Sequence, residues 1–220
     1  MTEGAAPAPR IRVWDVPVRL CHWLIVLFVA ASWWTAETKR MDWHRYSGYA
    51  LLALAVFRVY WGFFGSSTAR FSQFVRGPRT VVLYLKGRWA AIPGHNPLGA
   101  LSVLALLGLL VTQIVLGLFA VDVDGIESGP LSTYVSFDTG RAAADWHDTL
   151  FDALLWLIGL HVAAVLFYLL YKKENLIATM LHGMRAFPEG QAASVRTASW
   201  FRLIVGVVLA GLLTWVITRG

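Results

Sequence analysis

Four histidines carry the chemistry open to this sequence. His147 and His161 stand fourteen positions apart in the run "DWHDTLFDALLWLIGLHVAAV" (145 to 165), while His44 and His22 lie near the starts of two earlier apolar runs. At about 100° per residue, fourteen residues fall roughly 40° short of four whole turns, so both imidazoles share one helix face, about 21 Å apart along the axis. Neutral imidazole is a versatile metal ligand. Ionisable side chains inside a membrane are costly and turn toward partners in the bundle interior.

The elements that must position them are membrane helices. Hydrophobic residues make up 57 % of the 220-residue chain, charged residues 15 %, and tryptophan occurs 11 times; the mean hydropathy is +0.58. This is too apolar for an ordinary soluble domain. Five segments are long enough to span a bilayer: roughly 18 to 36, 44 to 64, 97 to 121, 145 to 171 and 200 to 218. Trp14, Trp33, Trp34, Trp43, Trp61, Trp146, Tyr171, Trp200 and Trp215 cluster near their ends, as interfacial belts do. The fifth is short enough that an interfacial helix competes with a spanning one, and spanning is the expectation. A cleavable signal is the competing reading of the first, but cleavage would discard His22.

Loop charge sets the expected orientation. Residues 65 to 96 carry Arg70, Arg76, Arg79, Lys86 and Arg88 without an acid, and Lys172, Lys173, Arg185, Arg196 and Arg202 follow the fourth span. Both segments read as cytoplasmic, and the acidic connection from 122 to 146 reads as periplasmic. The amino terminus is then cytoplasmic and the carboxyl terminus outside, in a bacterial inner membrane. The net charge of +6 is confined to these loops and points to lipid headgroups, not nucleic acid. Residues 1 to 12 read as disordered, and "FSQFVRGPRTVVLYLKG" as a solvated connector with a membrane-facing stripe. The single cysteine, Cys21, says nothing of redox compartment, and the absence of a CxxCH motif excludes covalent c-type haem.

In this frame the histidines pair by depth, His44 with His147 near the outer leaflet and His22 with His161 near the inner. A structural zinc site wants four ligands, whereas each level offers two imidazoles. Two opposed imidazoles suit bis-histidine haem b, whose porphyrin fills the other four positions of the iron. Arg58 lies fourteen residues beyond His44 on the same face, at the inner level. A haem propionate would satisfy it there, with snorkelling to the headgroups as the alternative. Gly48, on the same stripe, would let a macrocycle approach the backbone, or would serve plain helix packing. His95 is expected to cap the third span or sit at the surface, with a role in quinone protonation as the sharper alternative. His182 is expected in a loop, and Gln113 to bond a neighbouring helix.

The motifs "VWDVPVRLCHW", "HRYSGYALLALAVFRVYWGF", "ARFSQFVRGPRTVVLYLKG", "GHNPLGALSVLALL" and "DWHDTLFDALLWLIGLHV" resemble the prokaryotic cytochrome b561 family, which includes the b-type cytochrome subunits of nickel-iron hydrogenases. The resemblance runs from about Arg12 to Met184. It implies an all-α integral membrane protein: a four-helix transmembrane bundle binding two haems b, here with a fifth, carboxy-terminal transmembrane helix of no assigned role. The ligands it implies are His22, His44, His147 and His161, the set that depth selects. The expected organisation is a disordered cytoplasmic segment (1–12), the di-haem domain (13–184), and a cytoplasmic connector with the last helix (185–220).

Two haems at different depths make a path for electrons across the membrane. The expected function is transfer between a periplasmic redox partner, a c-type cytochrome or a dehydrogenase subunit, and the membrane quinone pool. Asp145, Asp148 and Asp152 flank His147, and Asp122, Asp124 and Glu127 lie nearby, so the partner should be basic where it docks. The alternative, implied by the same resemblance, is a superoxide oxidase that reduces quinone; an acidic approach disfavours an anionic substrate. A haem-free membrane scaffold is the third reading.

Overall fold

Asp15, Asn96 and Ser136 are short polar residues placed just before apolar runs, and each begins a long helix. In a computed structural model that describes residues 10–89, 92–187 and 195–219, Asp15 Oδ1 accepts the Val18 amide at 2.9 Å, Asn96 Oδ1 that of Gly99 at 2.7 Å and Ser136 Oγ that of Thr139 at 3.2 Å. These caps satisfy amides that a helix start leaves unpaired. Pro17 and Pro97, at the first turns of their helices, lose no internal hydrogen bond by lacking an N–H.

The elements run β1 (Arg10–Arg12), α1 (Val16–Glu37), α2 (Met41–Phe64), α3 (Phe71–Phe74), α4 (Pro78–Leu85), α5 (Pro97–Phe119), α6 (Phe137–Leu170), α7 (Leu176–His182), β2 (Met184–Ala186) and α8 (Trp200–Ile217), with short 3-10 turns at Ser67–Ala69 and Ser132–Tyr134. Five of them, α1, α2, α5, α6 and α8, are long and apolar enough to cross a membrane. Their outward faces are what lipid requires: Trp156 is 82 % exposed and Leu160 66 %. The molecule is an all-α membrane protein with a minor two-stranded clasp.

Two antiparallel hairpins, α1–α2 and α5–α6, meet through α2 and α5, and α8 packs on α2. One core patch, where Leu51, Leu52 and Ala55 of α2 meet Leu110, Ile114 and Leu118 of α5 and Leu154 of α6, joins the hairpins. A second, of Val13, Trp14, Val18, Cys21, Phe57, Trp61, Ala69, Phe187 and Ala210, closes the end where the basic loops lie. We call that the basic end, and the opposite one, with the α5–α6 connection, the acidic end.

Several expectations change. Helix α6 begins at Phe137 instead of near 145, because the Ser136 cap and Asp138 in the first turn favour a helix before the apolar run starts. The connector after α2 contains two helices, α3 and α4. Residues 10–12, the end of the segment expected to be disordered, form β1 antiparallel to β2, with Ile11 opposite Arg185; residues 1–9 lie outside the described residues. His182, expected in a loop, is the last residue of α7, and Gly183 ends that helix in the left-handed region at φ 78°. The Gly183 carbonyl accepts the amides of Val13 and Trp14 at 2.8 and 3.2 Å, fastening the amino-terminal strand to the chain after α7.

The α2–α8 contact depends on Gly206, where a Cβ would stand 2.7 Å from the Tyr60 ring and 3.2 Å from Phe57. Gly206→Leu should cost about 1–3 kcal/mol through overpacking. Thermal unfolding in detergent would register it as a lowered midpoint.

Candidate functional site

At the acidic end, α2 and α6 present their histidines to each other. The rings of His44 and His147 lie 6.1 Å apart, centre to centre, with planes at 85°. Each is held from behind: His44 Nδ1 donates to the Ser32 carbonyl at 2.9 Å and His147 Nδ1 to that of Gln113 at 2.9 Å. These bonds select the tautomer that leaves Nε2 free to bind a metal. Two metal–nitrogen bonds of about 2 Å, plus the short distance from each donor to its ring centre, span roughly 6 Å. That spacing would let the pair hold a metal between them.

Sequence reasoning expected Gln113 to bond another helix and missed what the bond does. Its side-chain Nε2 donates to the His147 carbonyl at 2.6 Å while its own carbonyl takes the His147 ring, so one residue latches α6 twice. Gly117, one turn on, faces the same ring: a Cβ there would be 3.0 Å from His147 Cε1. The spacing of Gln113 and Gly117 on one face of α5 was the available signal. On the other side, Ser32 Oγ and Ser47 Oγ share a 2.6 Å hydrogen bond between α1 and α2, bracing the carbonyl that holds His44.

The two rings line a cleft of about 380 Å³ whose deeper wall is Val29, Leu51, Leu110, Ile114, Phe151 and Leu154. Gly48 lines it too, with open space where a Cβ would project, so here the glycine faces a cavity and not a packed helix. Among the described residues, no cluster of three or more His, Cys, Asp or Glu could hold a bare metal ion. Two opposed imidazoles over a cleft with an apolar depth could hold a macrocyclic cofactor instead.

The basic end is arranged differently. His22 lies within electrostatic reach of His161 and of Arg58. His161 Nδ1 has Ser102 Oγ at 3.3 Å, while His22 Nδ1 is buried without a partner among the described residues. Arg58 does not snorkel: it is 8 % exposed, its guanidinium lies 5.4 Å from the Phe71 ring centre, and Nη1 is buried without a partner. A buried guanidinium with an unused donor is an anion site in waiting. His95 is not the helix cap, which is Asn96. Its ring lies between Trp14 at 4.5 Å and Phe74 at 4.6 Å. That enclosure, and then the charges of Arg58 and His161, lower its pKa to about 3. Beside it, Tyr168 accepts from Asn96 Nδ2 at 2.7 Å and shares a hydrogen bond with Tyr84, tying α4, α5 and α6 together.

The family model for prokaryotic cytochrome b561 matches residues 13–183. The chain belongs to that family. Two curated relatives, each named a probable Ni/Fe-hydrogenase B-type cytochrome subunit, are from Azotobacter chroococcum mcd 1 and Bradyrhizobium diazoefficiens. Both are 25 % identical, over 81 % and 84 % of this chain and 90 % of their own lengths. No solved structure matches. As a member of a b-type cytochrome family, the chain is a haem-binding membrane protein of electron transport.

Gly117→Val should push the His147 ring away from His44, whereas Gln113→Leu removes one latch and leaves the carbonyl contact. The absorption spectrum of the reduced protein should lose about half of its sharp-band intensity in the first variant, the share of a site at His44 and His147. In the second it should keep them, with a loss of stability of about 0.5–1.5 kcal/mol for the one hydrogen bond removed, since the His147 carbonyl keeps its bond within α6.

Proposed function

We propose that this cytochrome carries two haems b, one ligated by His44 and His147 and the other by His22 and His161, and moves electrons between a redox protein at the acidic end and quinone in the membrane. The observation that carries the reading is the 6.1 Å opposition of His44 and His147, each backed by a helix carbonyl. Bound haem b would supply a one-electron iron couple, held by these histidines. Everything else is done by the chain. The carbonyls of Ser32 and Gln113 orient the imidazoles and raise their basicity. The Leu and Phe wall keeps water from the cleft, and Arg58 offers its free donor to a propionate at the basic end.

The proposed orientation puts the basic end in the cytoplasm, by the loop charges. The partner is then periplasmic, and the names of the curated relatives make a nickel-iron hydrogenase the first candidate. The docking face is less uniformly acidic than the 122–146 connection suggests, because the α1–α2 turn adds Lys39 and Arg40 and α2 adds Arg45. Carboxylates still outnumber these cations, with Glu37, Asp42, Asp122, Asp124, Glu127, Asp138, Asp145 and Asp148 on that side. A basic patch on the partner fits. Quinone is proposed at the basic end, where the cytoplasm can exchange protons.

His147→Ala should lose one haem and His161→Ala the other, measured as haem per protein after extraction. Two haems in either variant would overturn the pairing. Electron delivery from a purified periplasmic partner should slow several-fold as ionic strength rises through about 0.15 M.

A further inference from the structure

The mouth of the acidic-end cleft holds two arginines that the ligand set does not use. Arg45 follows His44 on α2, and Arg141 sits near the start of α6; among the described residues they are the only Lys or Arg lining the cleft. Both are half-buried, with side chains 36 % and 27 % exposed. Arg45 bridges Asp42 and, at 3.0 Å, Glu127. Arg141 donates to Asp145 and to the Val121 carbonyl, both at 2.9 Å. These contacts use two donors of each guanidinium, and each has five. The carboxylate partners Asp42 and Asp145 are 77 % and 70 % exposed, so solvent screens those pairs and they exchange cheaply.

A flat ligand entering this cleft meets apolar side chains in its depth and finds its cationic partners only at the rim. We propose that Arg45 and Arg141 form a carboxylate clamp for the cofactor of this site, gripping the two propionates of the haem and so fixing which edge of the macrocycle faces the mouth. Glu37, Asp122, Glu127 and Asp148 also line the cleft, and without the two arginines they would repel a dianionic edge. The clamp rests on the reading of His44 and His147 as haem ligands, and it adds a cation-dependent preference for the free diacid.

The test uses the full chain purified from haem-starved cells and titrated with haem b or with its dimethyl ester, which lacks both charges. Affinity is read from the six-coordinate visible bands, and the His147→Ala variant identifies the signal of this site. The wild type should prefer the diacid by about tenfold. R45Q/R141Q should lose the preference and bind the diacid no better than the ester, and R45K/R141K should regain part of it. Equal binding of the two forms by the wild type, or an undiminished preference in R45Q/R141Q, would overturn the clamp. If R45Q/R141Q also loses the ester, the cleft itself has failed to fold, and R45Q and R141Q singly must each reduce the preference or the clamp is rejected. A titration with no His147-dependent signal in the wild type overturns the ligand assignment, and the clamp with it.

Discussion

An imidazole in a bilayer needs a fixed partner, and the acidic end meets that need with helix carbonyls. A carbonyl inside a helix has a second lone pair after its intrahelical bond, and Ser32 and Gln113 spend theirs on His44 and His147. Much else follows from these two bonds. They demand that α1 approach α2 where Ser32 meets His44, and that α5 approach α6 where Gln113 meets His147, which is the hairpin pairing observed. They also demand a glycine beside the second ring, because at Gly117 a side chain would occupy the space of the imidazole.

The two ends of the bundle use different physics. At the acidic end both rings are held by the protein and face each other across a cleft. At the basic end the polar atoms are less complete: the buried nitrogens of His22 and Arg58 lack partners among the described residues. Unpaired polar groups in low dielectric are costly, and an acidic group beside Arg58 would relieve its free donor. The plug of Trp14, Trp61 and Phe187, locked by the β1–β2 clasp and by the bond from Trp61 Nε1 to Asp15 at 2.9 Å, keeps that costly region from water.

Much of this was legible in the sequence because it is periodic and local. Span length and the shared face of His147 and His161 depend only on rise, turn and hydropathy along one chain segment. The start of α6 was not legible, since hydropathy marks where lipid contact begins and not where a capped helix does. His95 was misjudged for a related reason: Asn96, its neighbour, fits the cap geometry better, and what encloses His95 comes from Trp14 and Phe74, distant in sequence.

By itself, then, the sequence determined the long apolar helices and the spacing of the histidines along them, since these are set by composition and period. Only the tertiary structure decided which carbonyl holds each ring, that Arg58 stays buried over Phe71, and that Arg45 and Arg141 share one cleft mouth. Those outcomes depend on how far each helix is rotated about its axis toward its neighbours. That rotation is set by packing between helices, to which no single segment holds the answer.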